Sequence, residues 1–281
     1  MHFEYSQDEM AKEILKKVKI RNGIKDVISA LLVICYVVAI KVVISENKIL
    51  FVTSIAFIFV CLVLIVILRK INIKYLFEVI NAGYPEGLLN LSIYSYEFFS
   101  KPSILKKLFS ALIERYVVTT LNNIATAYYQ MGDIENTLKV VNYLENEYKV
   151  KNKKTKHFKD LITINLKTAI AFSNNDIDEF KKQNIKLKEI LKSFPEKNVY
   201  KFLIKLNLRE AFLDNNLDEV NKLCDELNKS NLLSDKVLSA HFKAQILEKN
   251  KKEGWQEYYK YVADNGNTLA IAKKAREKLG I

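Results

Sequence analysis

The chain has 281 residues, a formal net charge of +12 and 49% hydrophobic residues, but only seven Gly and three Pro. Folds with many strands, and glycine-rich nucleotide loops, need left-handed or tightly turned backbone, which Gly supplies. The composition therefore argues against both and predicts an all-α protein. The three Cys and three His lie far apart in the sequence, without the spacing of a disulfide framework or a metal site. We predict no metal and no cofactor.

Lysine dominates the positive charge, since only five of the 44 basic residues are arginine. Recognition of base edges and phosphates favours the planar guanidinium group, whereas lysine suits diffuse attraction to an anionic surface. The imbalance argues against nucleic acid as a partner. A compositional bias towards Lys, Asn, Ile, Tyr and Phe in an AT-rich genome is a simpler explanation for the lysine excess.

Residues 1–26 are predicted to form an N-terminal amphipathic helix on the cytoplasmic side. Ser6-Gln7-Asp8-Glu9 has the spacing of a capping box, in which two side chains satisfy free backbone N–H groups at a helix start. The apolar residues that follow recur at helical spacing on one face, at Met10, Ile14, Leu15 and Val18. The sequence does not decide whether this helix lies on a membrane or packs on the rest of the protein.

Residues 27–68 predict a transmembrane hairpin. The stretch Ile49–Leu68 has no ionisable side chain, and a helix of that length spans roughly 30 Å, the thickness of a bilayer core. The stretch Val27–Ile44 is interrupted once, by Lys41. A connection of only residues 45–48 requires the two helices to be antiparallel. A buried helical hairpin in a soluble fold is the alternative.

The distribution of basic residues predicts the orientation of this hairpin. Lys and Arg are frequent before the first stretch and directly after the second, while the connection carries only Lys48. The positive-inside rule then places both termini in the cytoplasm. We therefore expect a two-pass protein of a bacterial-type inner membrane, with the lipid bilayer as one partner.

Residues 69–281 contain a repeated pattern of an apolar helix, a short polar turn and an acidic start to a second helix. The turns are centred on Gly83, Gly132, Asn175 and Asn215, at periods of 49, 43 and 40 residues. Gly and Asn tolerate the left-handed backbone that ends a helix. Repeats of this length are typical of stacked helical hairpins, so the segment is predicted to be a cytoplasmic α-solenoid.

One hairpin resembles a known repeat family. The segment Leu121–Tyr148 is similar to a tetratricopeptide repeat, with Ile124-Ala125 at the Leu-Gly step of its motif, Tyr128 at the Tyr step and Gly132-Asp133 at the turn between helices. The other hairpins match the motif less closely. The resemblance implies that the first helix of each hairpin lines a concave groove, which holds a segment of another protein.

The resemblance also implies which residues line the groove. The motif's fifth position corresponds to Asn122, Asn165 and Lys205, and its ninth position in the third hairpin is Arg209. Tyr129 and Phe172 occupy a further groove position. With Thr126, the predicted groove residues are Asn122, Thr126, Tyr129, Asn165, Phe172, Lys205 and Arg209. Amide and cationic side chains suit a peptide that carries a carboxylate or acidic side chains. An ordinary solvated face is the alternative.

The densest run of basic residues is predicted to attract an anionic membrane surface. Its members are Lys149, Lys151, Lys153, Lys154, Lys156 and Lys159. A solvated loop between the second and third hairpins is the alternative.

The sequence contains no His-x-x-x-His pair, no Gly-x-Ser-x-Gly elbow and no phosphate-binding glycine loop. We therefore predict a binding protein and not an enzyme. It would be a membrane-anchored scaffold that captures a protein or peptide in the groove. A regulatory or immunity-type protein whose spans recognise another membrane protein or a toxin is the main alternative, and a membrane-bound hydrolase or transferase is a third.

Overall fold

The computed structural model describes residues 3–44, 78–100 and 110–281, together with 53, 55–61, 63, 64, 67 and 71. These residues form helices, and no strand occurs among them, so the predicted all-α class is confirmed. The longer helices are α1 (Glu9–Ile44), α2 (Pro85–Ser100), α3 (Ser110–Met131), α4 (Ile134–Asn142), α5 (Lys153–Ser173), α6 (Ile177–Leu191), α7 (Glu196–Leu213), α8 (Leu217–Asn228), α9 (Leu233–Lys249), α10 (Trp255–Asn265) and α11 (Ala270–Leu279), with a π-helical turn, Tyr143–Glu147, after α4.

The chain divides into two compact units. One unit is Gln7–Glu78 and contains α1, and the other is Met1–Ser6 together with Val79–Ile281. Helix α1 is capped by Asp8, whose Oδ1 accepts a hydrogen bond from the Ala11 N–H at 2.9 Å. The helix then runs continuously through residue 26, where the sequence suggested a boundary.

The predicted transmembrane hairpin is wrong. Among the helices of the described residues, none is both long enough and apolar enough to cross a bilayer. The apolar stretch from Val27 is the second half of α1, whose first half carries several lysines. The same finding overturns the two-pass localisation, while the bilayer as a partner stays an untested prediction. Residues 45–48 and parts of the second predicted span (49–52, 54, 62, 65, 66 and 68) lie outside the described residues.

The second unit is built from consecutive helical hairpins, whose turns are closed by residues with left-handed backbone. The φ angles at Gly83, Gly132, Asn175 and Asn215 are 63°, 82°, 57° and 55°. All four predicted turns are therefore confirmed. The turn between α9 and α10 has two left-handed residues, Lys251 with φ of 53° and Gly254 with φ of 88°. The sequence did not mark Lys251, because lysine has no preference for this conformation.

Each of three turns also supplies the cap of the next helix. A side-chain oxygen at the first position before the helix accepts a hydrogen bond from a backbone N–H three residues later, at 3.0 to 3.1 Å, which satisfies a donor that the helix leaves free. The capping pairs are Asp133 with Asn136, Asp176 with Glu179, and Asn216 with Glu219. One short segment thus ends one helix and starts the next.

The core consists of clusters of buried residues, each of which joins helices of neighbouring hairpins. Helices α7, α8 and α9 meet around Leu208, Val220 and Phe242. Helix α9 also uses its residues Val237 and Ala244 to pack on α10 and α11. Contacts between successive units of this kind are typical of stacked repeats, in which no hairpin could bury its apolar surface alone.

The stack curves until its last helix meets its first hairpins. Ala270 and Leu269 lie so close to the glycine turns that a Cβ on Gly132 would be 3.1 Å from the Ala270 Cβ, and one on Gly83 would be 3.2 Å from Leu269 Cδ1. The Thr268 hydroxyl donates a hydrogen bond to Glu86. We call residues 267–271 the closing segment.

Substitution of Gly132 tests this closure. Gly132→Ala places a Cβ at positive φ and against Ala270, whereas Gly254→Ala meets the same backbone strain at φ of 88° with no atom within 4 Å. Strain alone costs about 1 to 2 kcal/mol, and we expect Gly132→Ala to lose about 1 kcal/mol more. Urea unfolding of both variants measures the difference in the free energy of unfolding. Equal losses would show that the closing segment does not pack on Gly132.

Candidate functional site

A cavity of about 790 Å³ lies inside the curved stack. Its wall comes from the first helices of successive hairpins, α3, α5, α7 and α9, and from the closing segment and α11. The structure brings all seven predicted groove residues together on this wall: Asn122, Thr126, Tyr129, Asn165, Phe172, Lys205 and Arg209. The volume falls in the range of roughly 300 to 1,000 Å³ that is usual for ligand pockets.

Three phenylalanines form an apolar wall of the cavity. The ring centroids of Phe172 and Phe212 are 5.9 Å apart, those of Phe172 and Phe242 are 5.7 Å apart, and those of Phe212 and Phe242 are 5.5 Å apart. These separations are typical of favourable aromatic pairs. The three rings come from α5, α7 and α9, so the wall exists only because successive hairpins place their first helices side by side.

Arg209 lines this site and is half-buried, and no described residue supplies it with a countercharge. Its guanidinium carbon is 6.0 Å from the centre of the Phe172 ring. No carboxylate of the described residues forms an ion pair with it. Burial lowers the pKa of Arg209, and the nearby Tyr129 hydroxyl partly opposes that effect. An arginine nevertheless keeps its charge at neutral pH, so the site holds an uncompensated positive charge.

Lys205, by contrast, is paired. Its Nζ is 2.6 Å from Asp235, a carboxylate whose side chain is only 1% exposed, and Lys201 is 3.4 Å from the same residue. The Ser230 hydroxyl donates a third contact at 2.6 Å. Burial by itself would raise the pKa of Asp235, but Lys205, Ser230 and Lys201 together outweigh it and hold that pKa below its usual value.

His241 faces the cavity from α9, and its Nδ1 is buried without a hydrogen-bond partner in the described part of the chain. Burial, and then the positive charges of Lys274 and Lys278 on α11, lower its pKa to about 4. The ring is therefore neutral at pH 7.

The charges on the cavity wall are strongly unbalanced. The wall has four cationic side chains, Lys201, Lys205, Arg209 and Lys274, but Asp235 is its only carboxylate among the described residues. A cavity lined by one sign of charge concentrates ligands of the opposite sign. The arrangement therefore favours an anionic ligand.

Asn122 and Asn165 add neutral hydrogen-bonding groups to the wall. Both are half-buried, and within the described part of the chain neither side-chain amide has a hydrogen-bond partner. Tyr129 is engaged instead, with its hydroxyl 2.8 Å from Ser173 Oγ on the next hairpin. The two amides remain available as donors and acceptors for a bound molecule.

The six lysines of the predicted basic run differ in their exposure to solvent. Lys159 is buried, and its Nζ donates a hydrogen bond to the Tyr148 carbonyl at 3.2 Å, so it is not available to a surface. The remaining members are exposed: Lys149, Lys151, Lys153, Lys154 and Lys156. Helix α5 begins within the run, at Lys153, so the run is partly helix and not only a connecting loop.

The sequence analysis missed several residues of the site. Asp235, Lys274 and the closing segment reach the wall only because the stack curves, and no local motif marks them. His241 was assigned no role from the sequence. Its position on the first helix of a hairpin, as for Lys205 and Arg209, was the one available signal. The described residues contain no group of His, Cys, Asp and Glu that could hold a metal ion.

The chain matches no protein-family model, no curated protein and no solved structure. The resemblance to tetratricopeptide repeats therefore stays a prediction, and the site is interpreted from its own residues.

The ion pairs of Asp235 predict that Asp235→Asn lowers the free energy of unfolding more than removal of an exposed carboxylate does. This change leaves ammonium groups that are 34% and 54% exposed beside a buried neutral amide, and losing a hydrogen bond to a charged group costs about 2 kcal/mol. Glu219→Gln is the control, since Glu219 and Lys222 are 39% and 71% exposed in their pair and such pairs contribute about 1 kcal/mol or less. Chemical denaturation at pH 7 measures both, and similar losses would contradict the assignment.

The lowered pKa of His241 predicts that the folded protein loses stability in mild acid. Its folded pKa is about 4, so below pH 6.5 the unfolded chain binds a proton that the folded chain does not. Between pH 6.5 and 4.5 this costs about 2 kcal/mol. We expect His241→Gln to lose less stability than the wild type over that interval, in urea titrations at each pH. Parallel pH profiles would show that His241 does not titrate in this way.

Proposed function

We propose that the protein binds a peptide segment of another protein in the cavity. The observation that carries the proposal is that Asn122, Asn165, Lys205 and Arg209, which come from three hairpins, lie on the wall of one cavity. Curved stacks of helical hairpins offer extended concave surfaces of this kind for a partner.

The wall has groups that suit a peptide backbone. The free amides of Asn122 and Asn165 supply both donors and acceptors, and a peptide bond requires one of each. The apolar wall of Phe172, Phe212 and Phe242 accommodates a side chain of the bound peptide. Hydrogen bonds to the backbone then contribute affinity, and the aromatic wall selects apolar residues.

The charge on the wall supports an acidic partner. Four cations and one carboxylate face the cavity, and desolvating an acidic side chain or a carboxylate there is offset by charge-assisted hydrogen bonds. A basic peptide meets like charges instead, which disfavours the wrong partner.

Filling the cavity tests the proposal. A fluorescent peptide library, varied in apolar and acidic residues, is screened by anisotropy against the wild type. We expect the selected peptides to bind Asn165→Trp at least about tenfold more weakly, because the indole occupies space that the ligand needs.

Asn207→Trp is the matched control for this experiment. Asn207 lies exposed on α7 and away from the cavity wall, so the same substitution there leaves the cavity open. Circular dichroism confirms that both variants fold. Binding that survives Asn165→Trp, or that is lost equally in both variants, would show that the cavity is not the site.

A further inference from the structure

We infer that the ligand is amphipathic, with one acid group that binds Arg209 and an apolar part that lies on the wall formed by Phe172, Phe212 and Phe242. This inference rests on the proposed function, because it takes the cavity as the binding site. It adds the chemical class of the ligand and the residue that holds its charge.

Arg209 has no countercharge among the described residues, whose ion pairs do not include it. A charge that is half-buried loses part of its hydration, which is costly unless it is paired. The neighbours of its guanidinium are the Phe172 ring, 6.0 Å away, and the Tyr129 hydroxyl. A guanidinium in such surroundings gains most from a planar acid group, which it can bind with two parallel hydrogen bonds.

Lys205 is not equivalent to Arg209, although the sequence analysis treated the two together. Asp235 lies 2.6 Å from the Lys205 ammonium and also contacts Lys201. An anion that binds Lys205 must compete with this buried carboxylate and is repelled by it. Arg209 has no such competitor among the residues that the structure describes, so it is the stronger anchor.

The surroundings of Arg209 define the rest of the ligand. Phe172 belongs both to the aromatic wall and to the neighbourhood of Arg209, so charge and apolar surface meet at one point. Lys274, on the opposite helix α11, lines the same cavity and adds a positive charge. A ligand with an acid group at one end of an apolar body matches this distribution.

Two fluorescent probes that differ by one acid group test the inference. The probes are 8-anilinonaphthalene-1-sulfonate and N-phenyl-1-naphthylamine, which have the same aromatic body with and without a sulfonate. Exposed apolar residues elsewhere, such as Val27 and Phe59, also take up such dyes. The signal of Asn165→Trp, whose indole narrows the cavity, is therefore subtracted as an upper bound on this background.

For the wild type we expect the sulfonate probe to bind the cavity about tenfold more tightly than the neutral probe, as a charge-assisted hydrogen bond allows. Arg209→Met should remove this advantage and leave the neutral probe within about twofold, because methionine keeps the apolar bulk. Arg115→Met is the matched control, since Arg115 stacks on Phe158 outside the cavity wall, and it should change neither affinity.

The wild-type comparison keeps the test decisive even if Arg209→Met does not fold. Equal affinity of the two probes for the wild-type cavity overturns the inference, as does an advantage that persists in folded Arg209→Met. Displacement of the sulfonate probe by 1-naphthoate or by 1-naphthyl phosphate identifies the acid group as a carboxylate or a phosphate. Displacement by neither compound also overturns the inference.

The outcomes separate this inference from the proposed function. If Asn165→Trp abolishes peptide binding but the sulfonate probe keeps its advantage in affinity in Arg209→Met, only the inference fails. If the probes depend on Arg209 but no peptide binds, the proposed function fails and the cavity is a site for small anions. If Asn165→Trp changes neither peptide nor probe binding, both fail.

Discussion

Leu269 and Ala270 approach the backbone of the turns at Gly83 and Gly132, and this approach is possible because neither glycine has a Cβ. Both glycines also have positive φ, which ends one helix before the next begins. The same two residues thus satisfy a local requirement of the turn and a requirement of the tertiary fold. Without that contact the stack would remain an open curve, and its inner surface would be a groove and not a cavity.

The distribution of charge inside the cavity follows from the same curvature. Lys205 on α7 forms an ion pair with the buried carboxylate of Asp235 on α9. Arg209 lies one turn further along α7 and faces Phe172. It forms no ion pair with a carboxylate of the described residues. Two cations on one helix face therefore differ in their availability, because one has a neighbour on the next hairpin and the other does not.

The local features of the fold were predictable, and the long-range ones were not. Gly132, Asn175 and Asn215 were identified as turn residues because their backbone preference is intrinsic to the residue. The groove residues were named because the resemblance to tetratricopeptide repeats implied those positions, and the structure places them on the wall of one cavity. The closing segment depends on the angle between successive hairpins, which no single residue determines.

The membrane hairpin shows a different limit of sequence reasoning. An apolar run such as Val27–Ile44 reports only that a segment avoids water. Where a helix begins, and what surrounds it, is determined by capping and by the rest of the chain. In the structure α1 begins at Glu9 and includes a charged first half, so the hydropathy of the run alone was misleading.

The position of the closing segment has a consequence for biosynthesis. Helices α3 to α9 are synthesised before residues 267–279, and the cavity is completed only when the closing segment packs near Gly83 and Gly132. The rings of Phe172, Phe212 and Phe242 already contact one another within α5, α7 and α9. The part of the wall that is synthesised last is therefore the cationic side that carries Lys274.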